Sequence, residues 1–199
     1  MATIMNIKNR VNLVLETEAN AIKQVNVDDN FDIAVTFLYE CQGTIISTGI
    51  GKAGIIAEKF AATLRSGATA ASFLHPAEAA HGDLGVIGEQ DVLVAFSTSG
   101  KSREVIETLM SAKKLGIKKV IGITSHPDSE LRDFADVILN MGIIEEPCPL
   151  GLTPSASSAV MMAIGDGIAL SLLEMKGITK VDFGARHHAG YLGSFARSD

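Results

Sequence analysis

Between His75 and Gly85 the chain reads His-Pro-Ala-Glu-Ala-Ala-His-Gly-Asp-Leu-Gly. Two imidazoles, His75 and His81, and two carboxylates, Glu78 and Asp83, share a segment punctuated by Pro and Gly. Such groups move protons near neutral pH. Three further segments carry compatible chemistry. Gly49-Ile-Gly51-Lys52-Ala-Gly54 offers an anion the N–H groups of a glycine turn and the cation of Lys52. Ser97-Thr98-Ser99-Gly-Lys-Ser102 sets four hydroxyls in six positions ahead of a helix, more than capping uses, and describes a phosphate cradle. Arg186-His187-His188 adds two more imidazoles near the end of the sequence. Together these segments describe a site for an anionic small molecule with acid and base groups.

Each segment also has a plainer reading. Gly49-x-Gly51-x-x-Gly54 formally matches the dinucleotide fingerprint, yet the acid expected about 20 positions on is missing. Ala70 to Leu74 contain none, and the first is Glu78. No nicotinamide cofactor is expected, and the glycines serve a tight turn equally well. His75 and His81 stand six apart in a loop, which matches no standard zinc spacing, so no metal is expected either. Glu104, near a helix start, can simply answer the helix dipole. Glu145 and Glu146 precede Pro147-Cys148-Pro149, a rigid stretch that can aim a carboxylate inward or leave a solvated acidic pair.

The scaffold for these loops follows from hydrophobic periodicity. Apolar residues from Ile4 to about Val25 recur at three and four, as in an amphipathic helix, and a second helix starts near Asp28 or Asp29 and runs to Cys41. Short apolar strands are then expected at Thr44–Thr48, Ala71–Leu74, Val92–Phe96, Lys119–Thr124 and Val137–Leu139. Helices are expected between them near Ile55–Ser66, Glu104–Leu115 and Ser129–Phe134. Strands apolar throughout are buried on both faces, as in a parallel sheet covered by helices. After Pro154 an apolar helix to about Met175 lacks a polar face, which points to a core or a subunit contact. Gly177 ends it, and residues 182–199 show no periodicity.

At 199 residues with a net charge of -6, the chain fits one domain and lacks the clustered Lys and Arg that hold nucleic acid. The two cysteines, Cys41 and Cys148, are far apart and read as free, buried thiols of a reducing compartment. Met1 to Arg10 carry no apolar leader, and no uninterrupted apolar run approaches the roughly 18 residues of a membrane span. A cytoplasmic protein without membrane or nucleic-acid partners is expected.

The loops in order, with Glu146-Pro-Cys-Pro-Leu-Gly-Leu-Thr-Pro-Ser155 and Asp182-Phe-Gly-Ala-Arg-His187-His-Ala-Gly-Tyr-Leu-Gly193, resemble the sugar isomerase (SIS) domain family, specifically its arabinose-5-phosphate isomerases. The resemblance covers nearly the whole chain. It implies an α/β three-layer sandwich with a five-stranded parallel sheet flanked by helices, usually a homotetramer. It also implies interconversion of D-ribulose 5-phosphate and D-arabinose 5-phosphate, a first step towards Kdo for lipopolysaccharide or capsule. Carried over by position, phosphate contacts fall on Ser97, Thr98, Ser99 and Ser102, and the catalytic set on Lys52, His81, Glu104, Glu146 and His187. Gly49, Gly51, His75 and Glu78 complete the substrate-binding set. The expected organisation is a single domain over 1–199: N-terminal helices at 1–42, an α/β core at 43–176, and a tail at 177–199 reaching the active site. It would be a short form without the two CBS domains many members carry. Ala53, Lys101 and His188-Ala189 depart from the family's usual residues.

Such an isomerase removes a proton from C1, holds a cis-enediol and returns the proton to C2, needing neither metal nor redox cofactor. Glu146 or Glu104 is expected to move the carbon-bound proton, His81 and His187 the hydroxyl protons, and Lys52 to stabilise the enediolate oxygen. His187 is expected to enter a neighbouring subunit's cleft. Inhibition by Kdo or its nucleotide-activated form is a further expectation. The alternatives are a sedoheptulose- or hexulose-phosphate isomerase, or a non-catalytic sugar-phosphate sensor.

Overall fold

The computed structural model describes residues 6–197. Five strands, β1 (Ile45–Gly49), β2 (Ala71–Leu74), β3 (Val92–Phe96), β4 (Lys119–Thr124) and β5 (Val137–Asn140), form one sheet in the order β2-β1-β3-β4-β5. Every neighbouring pair is parallel. Side chains alternate across the sheet. Ile45, Val94, Phe96, Ile121, Ile123 and Leu139 face one core with α2 (Asp29–Tyr39), α3 (Lys52–Ser66) and α6 (Ala156–Met175). Ile46, Leu93, Ala95, Val120 and Ile138 face a second core with α5 (Arg103–Lys114) and the short α4 (Pro76–Ala79). Both faces are therefore covered, which explains strands apolar throughout.

Helix α5 shows how sequence makes these elements. Val105, Ile106, Leu109 and Ala112 are buried along one stripe, while Glu104 lies in the first turn and Lys113 and Lys114 in the last, matching the helix dipole. Helix α3 meets β1 through glycines. A Cβ on Gly54 would fall 2.7 Å from the Gly49 carbonyl oxygen, so only glycine lets helix and strand approach this closely. Helix α6 has the length and apolar composition of a membrane span. It is nonetheless a core element, packed against α3, α2 and α1 (Ile7–Lys23), with Asp166 paired to Lys59 of α3.

Several boundaries differ from expectation. Ile4 lies outside the described residues, α2 stops at Tyr39, and β1 is shifted to Ile45–Gly49. The stretch at Ser129–Phe134 is a single 3-10 turn, Glu130–Asp133. The tail is not irregular: α7 (Lys180–Arg186) and α8 (Gly190–Arg197) pack chiefly on each other. A capping box explains α7, since Thr179 and Asp182 satisfy each other's backbone N–H groups. Both cysteines are half-buried, not buried, because each sits at an element's edge in a loop or cap.

Candidate functional site

The sheet order reverses between β1 and β3, so the helices that follow them, α3 and α5, leave to opposite faces and open a crevice at the strands' carboxyl ends. A cleft of about 330 Å³ occupies that position. The β1–α3 turn contributes Ile50, Lys52 and Ala53, and the β3–α5 loop contributes Ser97, Thr98, Ser99 and Ser102. Pro154, Ser158 and Met161 reach it from the start of α6. A larger groove of about 630 Å³ between α1, α2 and α6 is lined mainly by apolar side chains and Asp32, and has no acid–base pair. The smaller cleft differs in carrying a lysine, an imidazole and a run of hydroxyls at the strands' carboxyl ends.

The serine loop is held in shape from within. Ser97 and Ser102 hydroxyls lie 3.1 Å apart, and Lys101 N–H donates to Ser99 Oγ at 3.2 Å. Gly100 has φ 62, and a Cβ there would fall 1.8 Å from Ser129 Oγ, so this turn admits only glycine. Ser102 is the N-cap residue of α5 without a side-chain cap bond, which leaves its hydroxyl turned to Ser97 and the cleft.

Of the residues expected to move protons, none lines this cleft, and Glu104 lies in a groove beside it. Glu104 stands in the first turn of α5 and lines a neighbouring groove of about 410 Å³ with Pro76, Ala77, Ala80 and Leu84. His75 caps α4, where its Nδ1 accepts from Ala77 N–H at 3.3 Å, so the neutral ring carries its proton on Nε2. Glu78 and His81 are exposed on either side of α4's end. Lys52 is exposed at the mouth of the first turn, one residue after Gly51. His187 belongs to a different part of the molecule. It follows α7, stacks on Phe183 at 3.8 Å and has Nδ1 2.9 Å from the Phe183 carbonyl oxygen. A carbonyl only accepts, so the neutral ring keeps its proton on Nδ1 and Nε2 is the basic nitrogen.

Glu146 is engaged in a way that the motif did not show. Its carboxylate accepts from the N–H groups of Ser155 and Ala156, both at 2.8 Å, from Ser157 N–H at 3.2 Å, and from the Ser157 hydroxyl. It is the anion at the N-terminus of α6. Burial pushes its pKa up, but the Ser157 hydroxyl and then the three backbone donors outweigh that and hold it below the ordinary carboxylate value. The folded-state value is the depressed one, so Glu146 stabilises the fold above the unfolded pKa, about 4.3, and loses that contribution as pH falls through its own value. Glu146→Gln should therefore lower the melting temperature at pH 7, with the gap to wild type narrowing in parallel melts as pH falls below the ordinary carboxylate range.

The loop between Glu146 and α6 also shapes a thiol. The Thr153 hydroxyl, then the N–H groups of Thr153, Leu152 and Leu150, lower the Cys148 pKa to about 6. Cys148 is therefore largely thiolate at neutral pH. Iodoacetamide at pH 7 should modify Cys148 before Cys41, read by peptide mass spectrometry; faster labelling of Cys41 would contradict the arrangement. Arg10 of α1 donates to the Pro147 carbonyl and tethers the same loop. Among the described residues no three His, Cys, Asp or Glu side chains converge as metal ligands would.

One cleft residue, His126, was not signalled by any motif. It follows β4 in Ser-His-Pro-Asp, a context that reads as an ordinary turn. Its place becomes visible only through the pairing of β4 with β3.

Residues 38–170 match the SIS domain model. The arabinose 5-phosphate isomerase KdsD of Shigella flexneri is 40% identical over 181 residues, which make up 91% of this chain and 55% of that protein. The chain thus spans about half the length of the curated relatives it matches. A Bacteroides fragilis protein, a candidate phosphosugar isomerase of capsule formation, superposes with a TM-score of 0.90 at 38% identity, covering 94% of this chain and 100% of that one. An Escherichia coli protein solved in complex with arabinose 5-phosphate gives 0.88 at 36%, covering 93% and 99%.

Proposed function

This chain belongs to the SIS domain family, and from that premise we propose that it isomerises D-ribulose 5-phosphate and D-arabinose 5-phosphate through a cis-enediol. The observation that carries the reading is the cleft itself: a serine-rich loop at a helix N-terminus and a lysine, with Glu104 in an adjoining groove lined by the segment that carries His75 and His81. Ser97, Thr98, Ser99 and Ser102 hold the phosphate, with the Gly49–Gly51 turn bringing backbone N–H groups near. Glu104 takes the C1 proton, the C–H electrons become the enediol double bond, and the C2 carbonyl becomes an enediolate stabilised by Lys52. The same carboxyl returns a proton to C2. His81 and His187 exchange the hydroxyl protons, while His75 and Glu78 hold sugar hydroxyls. Of the two carboxylates in question, Glu104 takes this role because four donors already occupy Glu146, and a lowered pKa makes it the weaker base.

Chain 1–199 acts as one SIS unit, and its tail brings His187 into a neighbouring subunit's cleft. Exposed apolar residues support assembly, proposed as a homotetramer: Ile7, Val11 and Leu15 on α1, Leu170 on α6, and Tyr191 and Phe195 on α8. The enzyme is placed in the cytoplasm, without nucleic-acid or membrane partners. Its product is directed to Kdo for lipopolysaccharide or capsule, with Kdo or its nucleotide-activated form as an inhibitor.

The test is a coupled assay offering ribulose 5-phosphate, sedoheptulose 7-phosphate and a hexulose 6-phosphate to the same preparation. Preference for ribulose 5-phosphate is expected. Preference for either larger sugar reassigns the substrate. Sugar-phosphate binding with no turnover of any of them favours a sensor.

A further inference from the structure

His126 lines the same cleft as Lys52 and the four hydroxyl residues. Its turn is fastened to the serine loop. Ser125 N–H donates to Thr98 O at 3.0 Å, Thr124 Oγ1 donates to the same oxygen at 3.1 Å, and Leu131 N–H donates to Gly100 O at 3.0 Å. His126 N–H in turn donates to Thr124 Oγ1 at 3.1 Å, and its carbonyl accepts from Ser129 N–H at 3.0 Å. The backbone of His126 is thus locked to the cradle. Among the described residues its ring makes no hydrogen bond or ion pair, and the residue is exposed.

Charge gives this placement its meaning. Among the described residues none that lines the cleft is acidic, and Lys52 is the one other lining group able to carry positive charge. Asp128 lies exposed two residues on in the same turn, and Glu146 is occupied at the start of α6. Lys101 of the serine loop is exposed and does not line the cleft, so with Lys52 directed to the enediolate the other lining groups of the cradle offer the phosphate hydroxyls and N–H groups. A phosphate monoester carries about -1.5 to -2 charge at pH 7, and a charge-assisted hydrogen bond is roughly twice as strong as a neutral one. A cation at the phosphate end is what the cradle lacks.

We propose that His126, as an imidazolium, binds the phosphate of the sugar phosphate beside Ser97–Ser102 and so sets affinity without taking part in proton transfer. This rests on reading the cleft as a sugar-phosphate site. It predicts a split between KM and kcat.

The experiment compares wild type with His126→Asn and His126→Gln at pH 6, using melting temperature as the folding control. KM for ribulose 5-phosphate should rise about tenfold or more while kcat stays within about threefold. Sulfate, a dianion from pH 5 to 8, should inhibit both variants more weakly by a similar factor. Its grip on wild type should loosen as pH rises through the range where imidazoles lose their proton, whereas the variants should show no such trend. The His126 ring resonance of wild type gives a measure independent of variant folding, since sulfate must shift its titration to higher pH. Unchanged KM and sulfate inhibition in folded variants overturns the assignment. So does a ring titration insensitive to sulfate, or a fall in kcat with KM intact. Wild type that binds sulfate with this pH dependence but isomerises no sugar phosphate overturns the isomerase reading and leaves His126 as an anion ligand.

Discussion

Glu104→Gln is expected to lower kcat for ribulose 5-phosphate by about 10²- to 10⁴-fold while KM changes only a few-fold. Gln keeps the length and shape of the side chain in the first turn of α5 but cannot accept the carbon-bound proton. The surrounding groove, shared with Pro76, Ala77 and Ala80, adjoins the segment that carries His75 and His81. The decisive measurement is loss of deuterium from C1 of labelled substrate, which reports proton removal even when product release limits turnover. Exchange should all but vanish in Glu104→Gln. Glu146→Gln should keep measurable exchange, its main effect being on stability through the cap of α6. The reverse pattern, with exchange lost only in Glu146→Gln, would exchange the two roles.

Mixing subunits should produce the second large effect. His187→Ala and Glu104→Gln, each nearly inactive alone, should regain activity when co-expressed and assembled together. If His187 serves a neighbour's cleft, random mixing leaves about a quarter of the sites with both wild-type groups. The tail's own packing is the reason. Helices α7 and α8 pack chiefly on each other, and Val181 is 77% and Tyr191 81% exposed, which leaves an apolar surface away from the chain's own core. Such a hairpin gains by docking on another copy. A mixture no more active than the sum of its parts would keep His187 within its own subunit. Native mass spectrometry, which resolves the mass difference between the two variants, shows whether mixed oligomers formed.

The residues explain which features could be read in advance. Val92–Phe96 and Lys119–Thr124 are apolar runs bounded by turn residues, so the strands, their order of appearance and the parallel class followed from burial on both faces. The serine and glycine loops were legible because each directly follows a strand, where a parallel sheet opens its crevice. The tail helices were missed because they are short, although Thr179 and Asp182 stand at capping-box spacing. Glu146 was readable as an acid near a rigid turn, but its partners lie 9 to 11 residues away, across a loop that only the docking of α6 closes.

The sequence by itself determined the architecture and the stock of chemical groups, because hydrophobic period and turn chemistry are local properties of the chain. Tertiary structure alone decided which groups share a cleft, that His126 lies beside the serine loop, and that the Glu146 carboxylate is spent on a helix N-terminus. Those outcomes depend on strand pairing and helix docking between distant segments, whose geometry sets both distance and competition for hydrogen-bond donors. No local pattern of residues encodes either.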